Sequence, residues 1–88
     1  MLNIKYSEKA CRQIKKLAKS DRKSLIMVFD RLEDFAQNPL EAYDRKVLKG
    51  KFGDLERLRI GRFRVIFEIT GQEMLIYEII PRKDAYHD

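Results

Sequence analysis

The chain has 88 residues, 44% of them hydrophobic and 38% charged, with a net charge of +5 and a pI near 9.5. That length allows one domain with one modest core and excludes a second. The single cysteine, Cys11, and single histidine, His87, exclude an internal disulfide and a Cys/His zinc cluster.

Lys5, Glu8, Lys9 and Arg12 interrupt the N-terminus early, so no signal peptide is expected. No apolar run approaches the roughly 18 residues that span a bilayer, and a cytoplasmic protein is expected. The basic balance favours a polyanionic partner.

Asn3 to Tyr6 is a short strand candidate. Ser7 can then cap a helix, because its hydroxyl can accept from an orphan backbone N–H. Ala10, Ile14, Leu17 and Ala18 recur at helical spacing. Cys11 falls toward their side and reads as a buried structural thiol, not a nucleophile. Ser20 and Asp21 mark a break and a second cap. Leu25, Val28, Phe29, Leu32, Phe35 and Ala36 form the apolar stripe of a second helix. Glu33 and Asp34 read as part of its solvated face. The Asn38-Pro39 pair ends this helix, since the residue before proline is driven out of αR geometry. So short a break between two helices predicts an antiparallel helical hairpin.

Leu40 to Gly53 reads as a polar connection containing Lys46, Lys49, Gly50, Lys51 and Gly53. The period then changes to two. Leu58, Ile60, Phe63, Val65, Phe67 and Ile69 are expected to face inward. Arg57, Arg59, Arg62, Arg64 and Glu68 are expected to face outward. A turn at Ile60-Gly61 or at Gly61-Arg62 preserves that division, so the hairpin from Leu55 to Ile69 is predicted with either register open. Glu56 has the opposite parity and is not expected to neutralise the arginines, which Glu68 and Glu78 can flank. Glu73 to Ile80 is apolar enough for an inner strand and is stopped by Pro81. A polar tail follows from Arg82 to Asp88.

These elements predict a single α+β domain over residues 1–88, in the order β-α-α-β-β-β. A helical hairpin packs on one face of an antiparallel sheet of about four strands. The other face carries the arginines. Guanidinium groups crowded on adjacent strands repel one another, and each offers a planar fork suited to phosphate. Duplex, single strand and an acidic protein segment all fit such a face. There is no Gly-rich phosphate loop, and no metal or cofactor is expected.

Leu48-Lys49-Gly50, the run Arg57-Leu58-Arg59-Ile60-Gly61-Arg62-Phe63-Arg64-Val65-Ile66-Phe67, and Arg82-Lys83-Asp84-Ala85-Tyr86 together resemble the RelE/ParE superfamily of type II toxins. The resemblance covers essentially the whole chain and is strongest to RelE-type toxins. It implies a ribosome-dependent mRNA interferase that cuts mRNA in the A site of the 30S subunit. The ribose 2′-hydroxyl would attack the adjacent phosphate, leaving a 2′,3′-cyclic phosphate and a 5′-hydroxyl. Arg57 and Arg59 match the family's paired basic positions, Arg64 the arginine of the next strand, and Arg82 and Tyr86 the C-terminal basic and aromatic positions.

His87 is the titratable group nearest neutrality and stands where a histidine serves in some relatives. Lys46, Lys49, Lys51, Arg62 and Lys83 are the expected RNA-binding residues around that set. Two departures stand out: the paired positions hold arginine where some relatives have lysine, and Pro81 stands where many have histidine. The resemblance also implies a cognate antitoxin and no membrane partner. It leaves a ParE-like gyrase inhibitor, or a non-catalytic relative that only binds its antitoxin, as alternatives.

Overall fold

The structure, a computed structural model, describes residues 1–41, 43–48 and 55–82. Ser7 and Asp21 start the two helices as their side chains predict. The Ser7 hydroxyl accepts from the Ala10 N–H at 3.0 Å and opens α1, Glu8–Ser20. The Asp21 carboxylate accepts from the Ser24 N–H at 3.3 Å and opens α2, Arg22–Gln37. α2 ends at Asn38, immediately before Pro39.

Leu25, Val28, Leu32, Phe35 and Ala36 are buried along α2. α1 buries only Ala10 fully, with Ile14 and Leu17 packed against the core. Cys11 is exposed, contrary to the expectation of a buried thiol. One residue is about 100° of helix rotation, and that carries Cys11 from the buried position of Ala10 to the rim of the apolar arc.

The sheet has five strands in the order β1-β5-β4-β3-β2: β1 Asn3–Tyr6, β2 Arg45–Val47, β3 Glu56–Ile60, β4 Phe63–Thr70 and β5 Glu73–Pro81. Two features differ from the sequence-based expectation. β1 pairs with β5 in parallel, so the sheet is mixed. The helical hairpin carries the chain from β1 at one edge of the sheet to β2 at the other, and the antiparallel run β2-β3-β4-β5 returns it to lie parallel beside β1, a pairing no tight turn could make. The second feature is β2, which forms within the stretch read as a polar connection and pairs antiparallel with β3.

Gly61 and Arg62 form the turn of the β3–β4 hairpin, with Ile60 opposite Phe63 and Arg59 opposite Arg64. Of the two registers open from the sequence, this is the second. Gly61 has φ of +54°, and no residue other than glycine has positive φ among the described residues. A positive φ at the first central residue alone is the pattern of a type II′ turn, whose twist suits the flanking strands.

The inward positions read from alternation hold. Leu58, Ile60, Phe63, Val65 and Phe67 are buried, and Ile69 packs against them. They meet Val28, Leu32 and Phe35 of α2. Phe35 and Phe67 stack edge to face with ring centroids 5.5 Å apart at the centre of the core. β5 is an inner strand, and β1 covers its outer edge only as far as Ile76. Beyond that point α1 takes over: the Ser7 hydroxyl donates to the Tyr77 carbonyl at 2.8 Å, and the Ile79 N–H donates to Gln13 Oε1 at 2.7 Å. An exposed strand edge is thereby satisfied by helix side chains.

Asp21 supplies a pH test of this frame. Hydrogen bonds from the Ser24 hydroxyl and then the Ser24 N–H, with the charge of Arg62 adding to them, hold its carboxyl below the ordinary aspartate range. The folded value lies below the unfolded one. The stabilisation is therefore complete above the unfolded value and lost as pH falls through the folded one. Thermal melts of wild type should drop as pH is lowered below about 4. Asp21→Asn, which keeps a capping side chain, should flatten that acid limb; superimposable acid limbs would contradict the assignment.

Candidate phosphate-binding face

The helices cover one face of the sheet, and the register of the strands organises the other. Across the sheet, one row on this outer face runs through Lys46, Arg57, Ile66 and Glu78. The next row, toward the β3–β4 turn, runs through Arg59, Arg64 and Ile80. Arg57, Arg59 and Arg64 are thus brought together by two adjacent strands, with two of them directly opposite. Lys46 lies on the same face beside Arg57.

Arg62 and Arg82 sit at the turn end of this face. Arg62 occupies the turn itself, and its carbonyl accepts from the Arg82 N–H. Arg62 was expected in the same outward row as Arg64. It lies instead in the exposed turn at the end of that row, and its charge adds to the bonds that lower the Asp21 pKa. Of the remaining predicted residues, Lys49, Lys51, Lys83, Tyr86 and His87 lie outside the described residues.

Glu68 and Glu78 stand on the strands beside the arginines, and each makes a different contact. Glu78 pairs with Lys9 of α1, and Glu68 accepts from the Thr70 hydroxyl at 3.4 Å. Among the described residues, Asp44 is a carboxylate set against Arg57 and Arg59. Its Oδ1 accepts from Arg57 Nη1 at 3.2 Å, and its Oδ2 lies 3.5 Å from Arg59 Nη1. The Arg57 side chain is only 11% exposed, whereas that of Arg59 is 53% and that of Asp44 52% exposed. Arg57 is therefore an outward-facing residue that is nonetheless covered.

Asp44 is held in place through the backbone, where the Arg59 N–H donates to its carbonyl at 2.9 Å. That bond extends the β2–β3 ladder by one residue. Below it, on the core side, the parity of Glu56 is as read from the sequence, and its partner is Arg45. The guanidinium grips both carboxylate oxygens of Glu56, with Nη2 to Oε2 at 3.0 Å. It also lies 5.2 Å from the Phe35 ring centroid and 5.9 Å from that of Phe67. The bonds that Arg45 donates to Glu56 raise its pKa above its already high ordinary value. This clamp anchors a strand of only three residues to the core and so sets where Asp44 and Lys46 stand.

Around the edge of β3 the face continues into a polar cleft of about 390 Å³, lined by Arg31, Asp34, Asn38, Tyr43, Arg59 and the Gly61 turn among others. Among the described residues, no cluster of three or more His, Cys, Asp or Glu is placed to hold a metal ion. No helix among them is long and apolar enough to cross a membrane.

A five-stranded mixed sheet with two helices on one face and arginines on the other defines a RelE/YoeB-like toxin fold. The chain belongs to the ParE toxin family of type II toxin-antitoxin systems, parDE, whose family model matches residues 4–86. Three solved structures illustrate the likeness in fold. The YoeB dimer from Staphylococcus aureus matches with a TM-score of 0.75 and 22% identity, over 90% of this chain and 94% of that one. RelE in the archaeal RelE-RelB complex from Pyrococcus horikoshii matches with a TM-score of 0.70 and 22% identity, over 92% and 94%. The E. coli DinJ-YafQ complex matches with a TM-score of 0.73 and 14% identity, over 98% and 99%. A comparison with curated protein sequences gives no match.

Proposed function

We propose that this type II toxin is an mRNA endonuclease that acts in the ribosomal A site. The observation that carries the reading is the convergence of Arg57, Arg59 and Arg64 on the sheet face that the helices leave uncovered, with Arg82 at its turn end. Arg57 and Arg59 hold the RNA backbone so that the 2′-hydroxyl lies in line with the adjacent phosphorus. Arg64 and Arg82 stabilise the charge that builds on the phosphoryl oxygens. Tyr86 stacks on a base beside the scissile bond, and His87 handles the proton. Lys46, Lys49, Lys51, Arg62 and Lys83 contact neighbouring phosphates.

The test is brief expression followed by mapping of mRNA 5′ ends. Discrete cuts within translated codons are expected, and intact transcripts in growth-arrested cells would contradict the reading.

A cognate antitoxin belongs to the same reading. Solved complexes of relatives pair RelE with RelB and YafQ with DinJ. The antitoxin of this chain is expected to cover the arginine face with acidic side chains.

A second reading, inhibition of DNA gyrase, is favoured by one observation: the family model that matches the chain is that of ParE. Supercoiling by purified gyrase separates the two. Inhibition without mRNA cuts would favour the gyrase target, and uninhibited gyrase with mRNA cuts the nuclease.

A further inference from the structure

The carboxylate of Asp44 stands where a ligand of the arginines would stand. One oxygen takes Arg57 and the other Arg59, as the two non-bridging oxygens of a phosphodiester would. Arg57 has little other access, since its side chain is 11% exposed and its fork is turned onto Asp44. A phosphate that engages both guanidiniums must therefore take the position the carboxylate occupies.

Release of the carboxylate is easy by comparison. Asp44 is half exposed, so it returns to water when it swings away. Its contact with Arg59 is a 3.5 Å ion pair between two half-exposed groups, the weak kind. The strand does not have to break either, because the bond that ties Asp44 to β3 is made by its backbone carbonyl.

We propose that Asp44 is an internal counter-anion, which occupies the phosphodiester position between Arg57 and Arg59 and is displaced when RNA seats there. The proposal rests on the nuclease reading above. In the free protein Asp44 relieves the repulsion within the arginine face and reduces its charge by one. RNA then has to outcompete a tethered carboxylate, so stray single phosphates are held weakly. A strand that also engages Arg64 and Arg82 wins.

The experiment measures binding of a short single-stranded RNA, 2′-O-methylated throughout to prevent cutting, across a salt series. Asp44→Asn and Asp44→Ser should each tighten binding about five- to tenfold. Each should also steepen the slope of log K against log salt by about 0.7, the contribution of one net positive charge gained by the face against a single strand. Arg59→Ala should weaken binding.

Wild-type or weaker affinity in both Asp44 variants, with Arg59→Ala weaker still, overturns the counter-anion and leaves the phosphate grip standing. Binding indifferent to Arg59→Ala overturns both. The wild-type protein gives an independent check that needs no folded variant. The side-chain carboxyl carbon resonance of Asp44 should move as the RNA is titrated in, and a resonance that stays still through saturation overturns the displacement.

Discussion

Replacement of Arg64 by alanine should lower mRNA cleavage about 10²–10³-fold, the loss typical when one preorganised donor to a developing oxyanion is removed. Arg64 stands on β4 directly opposite Arg59, on the side of Arg59 away from Asp44, and so extends the arginine row across the face. A scissile phosphate held by Arg57 and Arg59 has Arg64 on the neighbouring strand as its next donor. Arg64→Lys keeps the charge but loses the planar fork, and should recover only part of the rate. Cleavage rates on purified ribosomes, with circular dichroism to confirm folding, check both variants. An Arg64→Ala protein that folds and cuts at the wild-type rate would remove Arg64 from the chemistry.

The second large effect concerns the frame under the site. Glu56→Ala should destabilise the protein by about 3 kcal/mol, the low end of the range for breaking a buried ion pair, because Arg45 is partly exposed. The Arg45 guanidinium would remain over Phe35 and Phe67 without the carboxylate that takes its Nε and Nη2. In a domain of this size such a loss lowers Tm by roughly 12–24 °C.

Removing both charges together is much milder. The double variant Arg45→Met, Glu56→Leu should recover most of the stability, since an apolar pair can fill the same space without a stranded charge. Denaturant titration of the two variants measures the difference. Equal losses in both would show that packing rather than the stranded charge sets the cost.

Local patterning made much of this fold legible. Strict alternation from Leu58 to Phe67 separated core from face correctly in either hairpin register, because both registers preserve side-chain parity. Ser7, Asp21 and Asn38-Pro39 bounded the helices because capping and proline geometry act within a few residues. The parallel β1–β5 pairing was not legible, since it joins Asn3 to Glu73 across the length of the chain. β2 was missed because Arg45-Lys46-Val47 has neither the length nor the alternation of a strand. It is held by contacts of Arg45 with Glu56, Phe35 and Phe67, none of which lies within a turn of it in the sequence.

The site shows the same division. The arginines of the hairpin were visible from their two-residue period. Asp44 was not, because its contact with Arg57 and Arg59 exists only through the β2–β3 register. Arg62 falls in the turn that ends the outward row rather than in the ladder, because the backbone reverses there and strict alternation stops. A charge cluster read from one strand alone thus omits the counter-charge that a neighbouring strand supplies.

Phosphoryl transfer by this face on ribosome-bound mRNA can be measured with purified components. The protein is added to ribosomes stalled on a defined mRNA with an empty A site, and the ends of the products are analysed. One dominant cut is expected within the A-site codon, leaving a 2′,3′-cyclic phosphate upstream and a 5′-hydroxyl downstream. Intact mRNA after incubation with folded protein and vacant ribosomal A sites would contradict it.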